Sequence, residues 1–211
     1  VGGVHFDVAA FTNLTEDHLD FHKTMEAYCD AKAELFRRCD KAVMNRDDAW
    51  FDRIRKNANC DILTTSVKRD SSLRAVDLQL HADGISFTAV MGGETVPVTL
   101  QIPGRFTVYN ALTALGIAYS LGISLSDAGA ALAQAKGVRG RVEVVPTPGK
   151  PYTVLLDYAH TPDGLENVLT SARDFCKGRL ITVFGCGGDR DPIKRPIMGK
   201  IGVKLSDFAV I

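Results

Sequence analysis

The chain has 211 residues, of which 45% are hydrophobic, enough for one large or two modest domains with real cores. Lys and Arg together number 25, as do Asp and Glu, so the charge does not favour nucleic acid or a polyanionic surface as a partner. The sequence has no apolar run as long as a membrane span. Its five cysteines show no C-x-x-C spacing, as expected of free thiols in a reducing cytosol, and we predict a cytoplasmic protein.

Both ends of the chain fall in apolar segments. Residue 1 is Val rather than Met, a predicted strand begins at residue 4, and residues 207–211 resemble a buried strand that stops before its turn. Because domain termini usually lie in exposed polar segments, we expect the chain to be a piece of a longer polypeptide.

Strands and helices alternate along the first 66 residues. Apolar runs predict strands at 4–11, 41–45 and 60–66, and helical spacing predicts helices over 24–39 and 47–57. Thr24 is the expected N-cap of the first helix. This order at short spacing implies a βαβ unit and a largely parallel sheet.

The sequence pattern differs in residues 75–102, where apolar and polar residues alternate in three short runs. Asp83-Gly84 and Gly92-Gly93 are the expected hairpin turns between these runs. The pattern predicts a small antiparallel meander that extends the edge of the sheet and has a structural role.

The rest of the chain predicts a second α/β region. Helices are expected over 106–121 and 124–135, and the segment 137–141, with two glycines, is the candidate linker between domains 1–137 and 138–211. Strands at 142–146, 152–158 and 179–184 are followed by helices over 163–175 and 192–205. We therefore predict an α/β fold of two Rossmann-like pieces with a small antiparallel β-meander.

A polar loop after the first strand is the first candidate site. Asp17, His18, Asp20 and His22 lie close together there, which suggests a cation site or proton transfer. The alternative is a solvated surface loop, because acids near a helix start favour the helix dipole. Two histidines four residues apart also leave open a transition-metal site of a hydrolase, although no third ligand is evident.

Lys32 follows in the predicted helix, one turn after Tyr28 and one turn before Phe36. We expect its stem to run along an apolar stripe and its amine to be partly buried. The alternative is the usual arrangement for lysine, in which the amine extends into water.

Several segments closely resemble the Mur ligases, and among them the MurE type, the UDP-N-acetylmuramoyl-tripeptide synthetases. They are NLTEDHLD at 13–20 with MEAYCDAK at 25–32, DYAHTPD at 157–163, and FGCGGDRD at 184–191 with KRPIMG at 194–199. The resemblance spans essentially the whole chain. It implies the second half of the central ATP-binding domain and the first half of the C-terminal domain, since the sequence contains neither a GxxxxGK(S/T) loop nor a DNPR-type motif.

The resemblance also implies the cofactors, ATP and Mg²⁺, and the residues that bind them. His18 would be a magnesium ligand, and the amine of Lys32 would carry a carbamate that is a second ligand. Asn110 would contact the adenine of ATP and Arg141 the nucleotide. The chain departs from the family at Thr107, where the family has a first Asn, and this puts in doubt only a role for position 107.

Three further roles follow from the two later segments. Asp157 would bind the ribose hydroxyls and His160 would lie at the nucleotide, both at the carboxyl edge of a parallel sheet. Arg190 would contact the carboxylate of the incoming diamino acid, which suits the fork of a guanidinium group. Ile193 replaces a Gly that is frequent in the family, which we expect to alter loop flexibility more than chemistry.

The implied function is ligation in the synthesis of peptidoglycan precursors, by a monomer. ATP would convert the γ-carboxylate of D-Glu in UDP-MurNAc-L-Ala-D-Glu into an acyl phosphate, and the amine of meso-diaminopimelate or L-lysine would attack it. This chain alone is expected to be inactive, because it has no loop that cradles the triphosphate. A folylpolyglutamate synthetase-like ligase and a binding fragment without activity remain alternatives.

Overall fold

The computed structural model describes residues 3–16, 19–187 and 194–211. The chain divides into two units. The first comprises Val1–Leu78, Ser86–Thr99 and Val108–Gln134, and the second comprises Gln79–Ile85, Leu100–Thr107 and Ala135–Ile211. Within the described ranges, every helix is too short or too polar to cross a membrane.

Six strands form one sheet in chain order: β1 (Phe6–Phe11), β2 (Cys39–Asn45), β3 (Asp61–Ser66), β4 (Leu73–His81), β5 (Gly84–Met91) and β6 (Glu94–Leu100). The first four pair in parallel. Two-residue turns join β4 to β5 and β5 to β6. Because only antiparallel strands can be joined by such short turns, these three strands form an antiparallel meander. The predicted parallel sheet and the meander at its edge are both confirmed.

The first turn of the meander lies one residue earlier than predicted. It is formed by Ala82 and Asp83, because Gly84 already belongs to β5. A Cβ atom at Gly84 would lie 2.2 Å from the carbonyl oxygen of Leu100. Glycine is therefore required there by the close approach of a backbone rather than by a turn.

Helices lie at α1 (Leu19–His22), α2 (Met25–Ala33), α3 (Phe51–Lys56), α4 (Arg105–Ser120) and α5 (Leu125–Ala133). The predicted helix over 24–39 is too long, since a 3₁₀ turn occupies Glu34–Arg37 and Cys39 begins β2. The predicted helix over 47–57 starts late, because Asp48 accepts a hydrogen bond from the Trp50 amide and forms a turn ahead of the helix.

The remaining elements are β7 (Glu143–Val145), β8 (Val154–Leu156), α6 (Pro162–Phe175), β9 (Ile181–Val183), α7 (Lys194–Leu205) and β10 (Phe208–Val210). The expectation that the strand over 152–158 belongs to a parallel sheet is wrong, because its observed part, β8, pairs antiparallel with β7. β9 and β10 do pair in parallel. The predicted start of α7 at 192 lies outside the described residues.

Each unit has its own apolar core. In the first unit, Val43 and Met44 of β2 are buried on opposite faces of the sheet, and Leu112 and Leu115 of α4 are buried as well. In the second unit Leu165, Leu169 and Met198 form a buried cluster between α6 and α7. Burial of such side chains stabilises each unit by about 1.5–3 kcal/mol per residue.

Candidate active site

Two of the predicted site residues, His18 and Arg190, lie outside the described residues, as do Asp17 and Ile193. The remaining five, Lys32, Asn110, Arg141, Asp157 and His160, are described. Among the described ranges, no cluster of three or more His, Cys, Asp or Glu side chains is arranged to hold a metal ion.

Lys32 lies in the last turn of α2. The helix begins as predicted at Thr24, whose Oγ1 accepts a hydrogen bond from the Ala27 amide at 3.1 Å. The Lys32 Nζ lies 5.1 Å from the centre of the Tyr28 ring, a contact of the cation–π type. The imidazole of His22 also stacks on that ring, with the ring centres 4.8 Å apart.

The expectation of a partly buried amine at Lys32 is wrong. Lys32 is exposed, because the buried side chains of α2 are Cys29 and Ala33, and Lys32 lies beside this stripe rather than on it. Ala31 is exposed for the same reason. The expectation that the stem of Lys32 runs along an apolar stripe is wrong for the same reason, although Nζ lies near the Tyr28 ring.

Tyr158 lies inside the DYAHTPD segment but is not among the site residues predicted from the sequence. Tyr158 is 64% exposed. The guanidinium carbon of Arg141 lies 5.2 Å from the centre of its ring, and the centre of the His160 imidazole lies 5.1 Å from it. The Nδ1 atom of His160 lies 3.0 Å from the Tyr158 carbonyl oxygen. We call Arg141, Tyr158 and His160 the Tyr158 cluster. An exposed aromatic ring beside a cation can stack on a planar base.

Asp157 holds the backbone on both sides of this cluster. Its Oδ2 accepts a hydrogen bond from the Val142 amide at 2.8 Å and its Oδ1 accepts one from the Ala159 amide at 2.7 Å. Val142 is buried with a φ of 44°, a conformation that a β-branched residue adopts only when its surroundings impose it. A carboxylate can accept about four hydrogen bonds, so Asp157 retains capacity for a ligand hydroxyl.

The segment after β8 leads directly into α6. Thr161 caps the helix by accepting a hydrogen bond from the Gly164 amide at 3.1 Å, and Pro162 occupies the first turn, as predicted. The carbonyl oxygen of His160 accepts a hydrogen bond from the Lys194 ammonium group at 3.2 Å. These contacts fix His160 immediately ahead of the helix N-terminus.

Asn110 is exposed on α4, in the first unit. Thr107, three residues earlier, is buried, and its hydroxyl donates a hydrogen bond to the Pro103 carbonyl at 3.0 Å. The side chain that replaces the family's first Asn therefore bonds to the backbone of its own chain.

The sequence predicts Asp47 to lie in a helix, but it follows the carboxyl end of β2 instead. Its carboxylate accepts four hydrogen bonds, three of them from residues at or after the carboxyl end of β3 and one from α4. The donors are the Ser66 hydroxyl at 2.6 Å, the Val67 amide at 2.8 Å, the Lys68 amide at 3.1 Å and the Tyr109 hydroxyl at 3.1 Å. Burial opposes the charged form, but these hydrogen bonds outweigh it and hold the pKa of Asp47 below its ordinary value. Asp47 thereby fastens the first turns of α4 to the sheet.

The polar loop after β1 is fastened at the same edge of the sheet. The Asp48 carboxylate accepts a hydrogen bond from the Leu14 amide at 3.1 Å, and the Asn45 amide group donates one to the Thr12 carbonyl at 2.8 Å. Burial raises the pKa of Asp48. The described part of this loop therefore begins at the carboxyl edge of the sheet, where α/β proteins bind ligands.

The sequence profile of the Mur ligase middle domain matches residues 1–118, and that of the Mur ligase glutamate ligase domain matches residues 140–211. A UDP-N-acetylmuramoyl-L-alanyl-D-glutamate–2,6-diaminopimelate ligase of Clostridium botulinum is 47% identical over 212 residues, covering 100% of this chain and 44% of that protein. The chain thus spans less than half the length of this relative.

Solved structures agree with these matches. A structure of a UDP-N-acetylmuramoyl-L-alanyl-D-glutamate–2,6-diaminopimelate ligase has a TM-score of 0.74 and 34% identity, covering 96% of this chain and 43% of the other. A MurF ligase of Thermotoga maritima in complex with ADP shares the fold, with a TM-score of 0.78 and 19% identity over 96% of this chain and 48% of that one. The chain belongs to the Mur ligase family.

Proposed function

We propose that the full-length protein containing this chain is an ATP-dependent ligase that joins diaminopimelate to UDP-MurNAc-L-Ala-D-Glu. The observation that carries this proposal is 47% identity, over the entire chain, to a relative whose name states that pair of substrates. The two profile matches support residues 1–137 as part of the central domain and 138–211 as part of the C-terminal domain.

The Tyr158 cluster supports a nucleotide site in the second unit. The exposed ring offers a stacking surface, Arg141 supplies positive charge for phosphate, and Asp157 has acceptor capacity for ribose hydroxyls. His160 borders the same ring. We separately assign Asn110 to adenine, since its exposed amide group both donates and accepts hydrogen bonds.

The proposed reaction has two steps. The γ-carboxylate of D-Glu attacks the γ-phosphorus of ATP, ADP leaves, and an acyl phosphate forms. The amine of diaminopimelate then attacks the acyl carbon, inorganic phosphate leaves, and the amine loses a proton as the amide forms. Arg190 is assigned to the carboxylate of diaminopimelate, because a guanidinium group binds a carboxylate through two parallel hydrogen bonds.

Lys32 and His18 are the residues we assign to Mg²⁺. The ion prefers oxygen ligands, so the amine of Lys32 does not fit it, whereas a carbamate on that amine does. The exposed position of Nζ leaves it open to carbon dioxide. When bound, the ion would neutralise charge on the transferring phosphoryl group.

We further propose that the protein acts in the cytoplasm as a monomer and binds neither nucleic acid nor membrane. All five cysteines are free thiols, which fits a reducing compartment. Equal numbers of basic and acidic residues give no electrostatic attraction to polyanions.

The test is a ligation assay on the full-length protein with ATP, UDP-MurNAc-L-Ala-D-Glu and diaminopimelate, read out by mass spectrometry. L-Lysine replaces diaminopimelate in one control. In another, a folyl glutamate replaces the nucleotide acceptor and L-glutamate replaces diaminopimelate. We expect the diaminopimelate tripeptide and much less product in either control. Preferential glutamylation of the folate acceptor would instead support the folylpolyglutamate synthetase alternative.

A further inference from the structure

Two cysteine thiols lie in contact at the amino end of the parallel sheet. Cys39 begins β2 and Cys60 directly precedes β3, and their Sγ atoms are 3.4 Å apart. The strand register pairs Lys41 with Asp61, so each cysteine lies just before this first pair in its own segment. A disulfide bond is about 2.05 Å long, so the sulfur atoms are within a small side-chain movement of bonding distance.

The two thiols differ in their access to solvent. Cys39 is 5% exposed and packs in the same core cluster as Phe36 and Met44. Its burial, with the contact to Cys60, raises its pKa to about 12. Cys60 is half-buried and lines a surface hollow of about 430 Å³. A reagent from solvent therefore reaches Cys60 first.

The hollow beside Cys60 is positively charged on balance. Its lining residues include two basic ones, Arg46 and Arg55, and one acidic one, Asp61. Arg55 is exposed, and Arg46 donates a hydrogen bond to the Asp70 carbonyl. Such a lining favours a small reagent that carries carboxylate groups.

We propose that Cys39 and Cys60 form a thiol-oxidation site that accepts small anionic disulfides, such as those of cellular thiol peptides, and closes to an intramolecular disulfide. The Cys60 thiolate attacks one sulfur of the reagent, its S–S bond breaks, and one thiolate leaves. The Cys39 sulfur then attacks the Cys60 sulfur of the mixed disulfide, and the second thiolate leaves. Two protein thiols lose two electrons and two protons, and the reagent becomes two thiols.

Closure would tie the start of β2 to the start of β3. The bond would enclose α3 and all of β2 in a covalent loop, which restricts the unfolded chain more than the folded one. The oxidised chain should therefore show a higher unfolding temperature, and a reducing agent should reverse the shift. This effect is independent of the proposed ligase activity.

The test is incubation of the 211-residue chain with oxidised glutathione, followed by intact-mass analysis and peptide mapping under non-reducing conditions. We expect the loss of two hydrogen atoms and a cross-link between the peptides that contain Cys39 and Cys60. Cys176→Ala, which removes another half-buried thiol, is the matched control and should leave the cross-link unchanged.

Two variants resolve the order of the steps. Cys39→Ala should accumulate a mixed disulfide of glutathione on Cys60, whereas Cys60→Ala should slow modification of Cys39 roughly tenfold or more. Circular dichroism and a thermal melt confirm that each variant is folded. A wild-type chain that keeps its reduced mass, a cross-link between other cysteines, or a Cys39→Ala chain that gains no adduct on Cys60 would each overturn the proposal.

Discussion

The hydrogen bonds of Asp47 should contribute strongly to the stability of the first unit. Replacing Asp47 by Ala removes the acceptor of four donors, two of them backbone amides. Replacing Tyr109 by Phe removes only the bond from the α4 side. The two changes therefore separate the whole network from its link to α4.

The expected losses of unfolding free energy follow from the number and burial of the hydrogen bonds removed. A hydrogen bond to a charged acceptor contributes about 1.5–3 kcal/mol when buried, and since Asp47 is only partly buried we expect about 1–2 kcal/mol for Tyr109→Phe. Asp47→Ala should cost about 3 kcal/mol, because several donors lose their acceptor together. Tyr119→Phe is the matched control on the same helix. Tyr119 is 47% exposed, so the change in unfolding free energy should stay within about 0.5 kcal/mol.

Trp50 provides a direct assay. It is the single tryptophan of the chain and lies in the first unit, so its fluorescence during urea unfolding reports on that unit. The pKa of Asp47 is lower in the folded chain than its ordinary value of 3.8, so its contribution is present above that pH and disappears as the pH falls through the folded value. The destabilisation by Asp47→Asn should therefore be largest near neutral pH and shrink under acid. If Asp47→Asn lowered the free energy of unfolding only slightly at neutral pH, or by the same amount at every pH, this reasoning would be refuted.

Two further predictions concern Gly84 in the meander and Arg190. Gly84→Ala should destabilise the chain by about 2–3 kcal/mol in a thermal or urea unfolding assay, because its Cβ would meet the Leu100 carbonyl oxygen, whereas Gly178→Ala, with open space around it, should be nearly neutral. In the full-length protein, Arg190→Lys should raise the KM for diaminopimelate far more than the KM for ATP, because Lys loses the two-pronged contact worth about 1.5–3 kcal/mol. Equal increases in both KM values would exclude Arg190 from the amino-acid site.

Local signals in the sequence predicted local structure well. Thr24 and the Thr161-Pro162 pair mark the starts of α2 and α6, because an N-cap depends only on residues within one turn. The alternation in residues 75–102 likewise predicted the meander, since its turns join strands that are adjacent in the chain.

Features that depend on distant partners were not predictable in this way. Asp47 bonds to residues 19 and 62 positions away, so no spacing rule identifies it. The burial of Lys32 was mispredicted because periodicity alone does not fix which stripe of a short helix faces the core, and here Cys29 and Ala33 do. The antiparallel pairing of β8 is set by β7, a partner that the apolar run itself does not specify.

The central proposal, a Mur ligase that uses a carbamate on Lys32, is tested most directly by turnover of Lys32 variants of the full-length protein. Lys32→Ala should be almost inactive and should regain part of its turnover in excess formate or acetate, which would occupy the place of the carbamate. Lys32→Arg should stay inactive with or without the added carboxylate, since a guanidinium group cannot be carbamylated. Lys56→Arg, a change at an exposed lysine of α3, is the control and should retain full activity. Turnover of Lys32→Arg at the wild-type rate would contradict the account.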